Sequence, residues 1–152
     1  MLAADEKAGS MAYLYLLKRV ESHMGKTGET TNSELDKCGR EMLGSKYIGT
    51  YAHDIFPFSE LTSGMMGICN TDTADGPGEH WVAVAMGKEQ KNTLFIYDSF
   101  GRRSLLDVPV GIEVDEADSD AEQEEAEENC GQRCLAWLLV FEHLGEKIAD
   151  TI

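Results

Sequence analysis

The spacing of apolar residues changes period several times along this chain. In "SMAYLYLLKRVESHM", residues 10–24, Leu14, Leu17, Val20 and Met24 recur at helical spacing behind Ser10, a residue type that caps helix starts. The polar stretch "GKTGETTN" interrupts the pattern. A second helix follows in "SELDKCGREMLG", where Ser33 and Asp36 fit a Ser-x-x-Asp cap, Leu35, Cys38 and Met42 form one face and Gly44 supplies a stop. Cys38 is thereby expected in the core. The period then shortens towards two. "YIGTYAHDIFPF" and "MMGICNT" read as strands or strand edges, and "HWVAVAM" (80–86) and "TLFIYDS" (93–99) are the clearest strands. "DTADGPGE" is a loop that delivers the chain to His80. The closing apolar segment "CGQRCLAWLLVFEHLG" is helical, with Asn129 at the cap position. Cys134, Leu135, Leu138, Leu139 and Phe141 form its buried face, His143 sits near its negative end and Gly145 at its stop.

The polar turn "GKEQKN" is short enough to make the two clear strands an antiparallel hairpin, in which partner numbers have a constant sum. A sum near 178 sets His80 opposite Asp98, with Cβ atoms about 5 Å apart on one face. A register one residue away would separate them.

Length and composition narrow the class. At 152 residues the chain suits a single domain, with 42% apolar residues. No apolar run approaches the roughly 20 residues of a membrane span, and "MLAADEKAGS" lacks the apolar centre of a signal peptide, so an intracellular or particle-enclosed location is expected. The four cysteines, Cys38, Cys69, Cys130 and Cys134, contain no Cys-x-x-Cys pair and are expected as free thiols. Neither they nor His143 offer tetrahedral Cys/His spacing, so no metal and no cofactor is expected.

The formal charge of −15 is largely local. Residues 113–128 hold ten acids and no base; without them the balance falls to −5. This segment reads as an exposed acidic loop, and the remainder shows no basic stripe to hold a phosphate backbone. Nucleic acid is therefore not expected as a main ligand.

Candidate chemistry gathers at Cys130, in the first turn of the last helix. Unpaired amides and the positive end of the helix dipole favour an anion there, and a nearby imidazolium would favour it further. A carboxylate on the other imidazole nitrogen would fix tautomer and orientation. His80 and Asp98 are the candidates the hairpin already pairs.

"GEHWVAVAMGKEQKNTLFIYDSFGR", then Gln123 and "CGQRCLAWLLVF", resemble the adenovirus-type maturation cysteine proteases (adenain-like, with virophage relatives), of the same clan as SUMO-deconjugating proteases. "SELDKC", "YIGTYAHDIFPF" and "GICNT" are similar to the family's start, so the resemblance covers roughly residues 33–145. It implies an α+β fold with a central, mostly antiparallel sheet flanked by helices. Residues 1–32 form an N-terminal extension expected to be helical, and 33–152 the protease domain with its acidic loop at 113–128.

By the same resemblance Cys130 is the nucleophile, His80 the general base and acid, Asp98 the orienting acid where the family has glutamate, and Gln123 the oxyanion donor beside the Cys130 amide. Trp81 has two readings, cover of a narrow slot for substrate glycines or cross-strand packing. Residues 99–129 contain no cysteine, so an activating peptide would not be disulfide-linked, unlike adenain's. The implied activity is endoproteolysis of capsid or core precursors after glycine, in a virion or infected cell and without membrane attachment. Rival readings are an isopeptidase acting on ubiquitin-like conjugates and a non-enzymatic acidic interaction module.

Overall fold

The computed structural model describes residues 2–71, 80–100, 106, 108–117 and 128–152. The chain runs α1 (Leu2–Met24), α2 (Asn32–Leu43), β1 (Tyr47–Ala52), β2 (Met66–Asn70), β3 (Trp81–Met86), β4 (Thr93–Tyr97), β5 (Glu113–Glu116), α3 (Cys130–Leu144) and α4 (Glu146–Ala149). The strands form one sheet in the order β1-β2-β3-β4-β5. The two outer pairs, β1–β2 and β4–β5, are parallel, and the two inner pairs are antiparallel. The architecture is α+β as expected, but the sheet is mixed rather than mostly antiparallel.

Alternation along the inner strands divides the interior. Met66, Ile68, Ala83, Ala85, Phe95 and Tyr97 join residues of all four helices in one cluster. Val82, Val84, Met86, Leu94 and Ile96 face the other way and are covered by Phe56, Phe58 and Leu61, with Leu106, Val108 and Ile112 packed alongside. The helices therefore share one face of the sheet, and connecting segments cover the other.

Several boundaries differ from the sequence expectation. Helix α1 starts well before Ser10, which lies exposed inside it, and its buried stripe is Tyr13, Leu17 and Val20, whereas Leu14 is 55% exposed. "MAYLYLL" offers apolar residues on more than one side. Gly9 decides between them, because it extends the Tyr13 stripe by one turn where a Cβ would lie 2.9 Å from Ile148. Residues of α1 thus share the cluster formed by α2, α3 and α4.

The cap of α2 is two residues earlier than Ser33. Thr31 Oγ1 accepts from the Glu34 amide (3.1 Å) and Glu34 Oε1 accepts from the Thr31 amide (2.9 Å), satisfying two helix-start donors reciprocally. Asp36 instead accepts from Arg40 one turn on. Gly44 ends the helix at φ +64°, and Cys38 is buried as expected.

The acidic segment is not a loop throughout: Glu113–Glu116 form β5, an edge strand paired with β4. Short acidic sequences read as solvated, yet one strand edge needs only backbone pairing, and its side chains are mostly exposed. Residues 118–127 lie outside the described residues. Helix α3 is not one-sided either, since every residue from Gly131 to Phe141 is buried. The helix is wrapped by α1, α2, α4 and β3. An all-round apolar surface of this kind marks a central helix.

Candidate active site at the end of the β3–β4 hairpin

His80 and Asp98 lie just beyond the paired strands, at the end where β3 begins and β4 finishes. The His80 carbonyl accepts from the Thr71 amide at 2.8 Å, so the β2–β3 ladder fixes its backbone. The hairpin pairs Ala83 with Tyr97 and Val84 with Ile96, a constant sum of 180 rather than 178. This two-residue difference preserves the face. Continued outward, it sets Phe100 opposite His80 and Asp98 on the diagonal, from which a side chain still reaches.

The reach is realised: His80 Nε2 donates to Asp98 Oδ1 at 2.7 Å, with both side chains more than nine-tenths buried. The same carboxylate oxygen accepts from the Phe100 amide at 2.9 Å, which holds it in a tight turn. The Phe100 ring packs on the imidazole, centroids 4.8 Å apart and tilted 42°.

Cys130 opens helix α3. Because a carboxylate only accepts, Nε2 must carry the proton shared with Asp98, leaving Nδ1 as the ring nitrogen that Asp98 does not engage. Burial would lower the imidazole's affinity for a proton, but the interactions with Asp98 and Cys130 outweigh it and raise the His80 pKa from 6.5 to about 9. The site therefore favours the protonated imidazole. Cys130 is also the one cysteine in partial contact with solvent; Cys38, Cys69 and Cys134 are buried. Burial pushes the Cys69 and Cys134 thiols well above their ordinary range and Cys38 to about 11.

Asn129 occupies the cap position of α3, yet its side chain does not cap. Its Oδ1 accepts instead from Arg133 Nε at 3.0 Å. The expected capping role is thus corrected. The neighbouring guanidinium outcompetes a backbone amide for the oxygen, because a charge-assisted bond is the stronger one. The helix start is consequently left without a side-chain cap of its own, next to the thiol.

Trp81 is half-buried against the main core, and its indole N–H donates to the Thr30 carbonyl at 3.3 Å. Packing is therefore one of its roles. Gln123 lies outside the described residues. Arg133 and Gln132, both buried, escaped the sequence reading. The available signal was their polarity: between Cys130 and Phe141 they are the only strongly polar side chains. Gln132 Nε2 donates to the carbonyls of Lys26 (3.2 Å) and Gly28 (2.8 Å).

No protein-family model matches the sequence, and no curated protein matches it.

Among the described residues, no cluster of three or more His, Cys, Asp or Glu side chains could hold a metal ion. No described helix is long and apolar enough to cross a membrane. What the site offers is a partly exposed thiol at a helix start, an imidazole held by a carboxylate, and an aromatic cover over that imidazole.

Proposed function

We propose that this chain is a cysteine endopeptidase that works through Cys130, His80 and Asp98. The observation that carries the reading is the buried imidazole of His80, held by Asp98 at Nε2 and drawn to its proton by Cys130 as well as by Asp98. The sequence resemblance described above extends it to a maturation protease that cleaves capsid or core precursors after glycine, in the virion or the infected cell.

In this mechanism the Cys130 thiolate attacks the scissile carbonyl carbon, forming a C–S bond and moving the carbonyl electron pair onto oxygen. Collapse of this intermediate breaks the C–N bond, and the leaving nitrogen takes the proton from His80 Nδ1. Water then gives that nitrogen a proton as its oxygen attacks the thioester, releasing the new carboxyl group and restoring the thiolate. Asp98 keeps Nε2–H directed at itself and stabilises the imidazolium in both steps. The oxyanion would be met by the Cys130 amide and, following the resemblance, by Gln123.

The test is to incubate the protein separately with glycine-containing capsid-precursor peptides and with a ubiquitin-like vinyl sulfone, and to map adducts by mass spectrometry. Cleavage after glycine that disappears in Cys130→Ser supports the endopeptidase. Capture of the vinyl sulfone at Cys130 with every peptide left intact would replace it with a deconjugating isopeptidase. Absence of both, with Cys130 no more reactive than a free thiol, would leave an acidic interaction module.

A further inference from the structure

Three sets of side-chain hydrogen bonds tie residues 13–30 to the rest of the fold around the site. Tyr13 Oη meets Tyr97 Oη at 2.6 Å and accepts from Arg133 Nη1 at 3.2 Å, and Arg133 Nε donates to Asn129 Oδ1 at 3.0 Å. Gln132 reaches the carbonyls of Lys26 and Gly28. Trp81 reaches the carbonyl of Thr30.

Their endpoints share one property. Tyr97 directly precedes Asp98, Asn129 directly precedes Cys130, Trp81 directly follows His80, and Gln132 lies two residues beyond Cys130. The neighbours of Asp98 and His80 are held directly by the N-terminal segment, and that of Cys130 is held through Arg133. The chain from Tyr97 through Tyr13 and Arg133 to Asn129 crosses from the sheet to α3, linking the strand that carries the acid to the helix that carries the nucleophile.

The link is stiff as well as continuous. Tyr13, Tyr97, Gln132, Arg133 and Asn129 are all buried. The Tyr97 ring stacks on Trp137 at 5.5 Å with planes 4° apart, while the Tyr13 ring meets Tyr97 edge-on at 5.9 Å. Gly131 permits close approach of the loop, since a Cβ there would lie 2.2 Å from Thr30 Oγ1. The chain from Tyr97 through Tyr13 and Arg133 to Asn129 is bonded at every link, and such buried polar bonds in a low-dielectric interior hold the elements that carry them in one arrangement.

We propose that Tyr13, Arg133 and Gln132 are positioning residues through which the N-terminal segment sets the spacing of Cys130, His80 and Asp98. The inference rests on the catalytic reading of that triad, and it assigns residues 1–32 a part in turnover rather than an accessory place. Removing the Tyr13 hydroxyl leaves the rings packed but lets α3 and β4 shift relative to each other. A small displacement of thiol from imidazole weakens both their ion pair and the attack geometry.

The experiment compares Tyr13→Phe and Gln132→Met with Tyr47→Phe in the full chain. Tyr47 is an apt control because its buried hydroxyl also bonds a side chain, that of Thr50, but neither residue adjoins the triad. For each variant, iodoacetamide alkylation of Cys130 across pH, kcat and KM on a cleaved peptide, and the melting temperature are measured. Tyr13→Phe and Gln132→Met are expected to lower kcat by about 10- to 100-fold at little change in KM. Slower alkylation at neutral pH should accompany this. Tyr47→Phe should lose comparable thermal stability with both readouts unchanged.

Wild-type alkylation and kcat in the two test variants would overturn the inference, as would equal losses in the Tyr47 control. Should one test variant fail to fold, the other carries the comparison. If the wild-type protein alkylates rapidly yet cleaves no peptide, the endopeptidase reading fails and the alkylation ratio alone decides the positioning role.

Discussion

The Phe100 ring packs on the His80 imidazole, which Asp98, two residues before Phe100, holds by its edge. The imidazole thus receives an apolar cover and a carboxylate at its edge from one short piece of chain, Asp98 to Phe100. That piece is itself closed by the Phe100 amide on Asp98 Oδ1. Orientation and desolvation of the histidine have one structural source.

Replacing Cys130 by Ser is expected to abolish peptide cleavage while leaving the melting temperature near wild type, since the change is nearly isosteric and Cys130 is only partly buried. His80→Ala should be equally inactive. Asp98→Asn should retain residual turnover, lowered by up to about 10⁴-fold, because the acid orients and stabilises without bonding to substrate. Turnover by purified Cys130→Ser on the same peptides would sink the mechanism.

The pH behaviour follows from the raised His80 pKa. Activity that needs the imidazolium should hold through neutrality and fall on an alkaline limb near 9. Folding stability moves in the same sense. The folded state binds its proton more tightly than the unfolded chain at 6.5, so the contribution is full below about 6.5 and disappears as pH rises through about 9. Denaturant titrations between pH 6 and 10 check this. In Asp98→Asn the alkaline limb should move down, and a limb that stays in place would show that another group controls it.

How much of this was legible in the sequence depends on the range of the interaction. Period-two alternation located β3 and β4, and the hairpin turn placed His80 and Asp98 on one face even though the register was two residues off. Capping chemistry identified the start of α2 to within two residues, because Thr31–Glu34 and Ser33–Asp36 are rival patterns in one stretch. Leu17 and Val20 were placed correctly in the stripe of α1 but Leu14 was not, since Leu14 and Tyr13 both have large side chains suited to a core and only tertiary contacts, those of Tyr13 with Tyr97 and Arg133, separate them. The Arg133–Asn129 bond spans only four residues, but nothing local says that the guanidinium is buried beside that oxygen. A cap residue announces itself locally, but its competitor acts from within a buried network.

Glu146 provides a stability test remote from the site. Its Oε1 accepts from the amides of Lys88 (2.5 Å) and Glu89 (2.8 Å), and Oε2 from that of Gln90 (3.0 Å), so one buried carboxylate closes the β3–β4 turn. Burial raises its pKa, but the three amides outweigh burial and hold it below 4.5. Its contribution is therefore present above about pH 4.5 and is lost as pH falls through the lower folded value. Glu146→Ala should cost about 2–4 kcal/mol by urea denaturation. Activity per folded molecule should be unchanged.

Gly131 offers a steric test beside Cys130. A methyl group there would meet Thr30 Oγ1 at 2.2 Å and Leu35 Cδ2 at 2.8 Å, too close for contact without movement of the loop or of α2. Gly131→Ala should lower both kcat and the melting temperature, with Gly131→Ser worse. Wild-type values for the alanine variant would mean that the 25–31 loop yields freely.

The enclosure of α3 makes the protein's own thiols a gauge of its opening. Cys134 lies one turn from Cys130 inside the helix that every other α-helix touches, and Cys69 is equally shut away in β2, whereas Cys38 borders a surface hollow beside His23, Glu34, Lys37 and Glu41. A segment placed like that of Cys134 or Cys69 has no low-energy route to local exposure and opens only with the whole molecule. In native buffer Cys130 should therefore consume a labelling reagent quickly, and Cys69 and Cys134 only at the pace of global unfolding. The first phase reads the chemistry of the site and the second reads the lifetime of the fold, both in a single tube and without a denaturant.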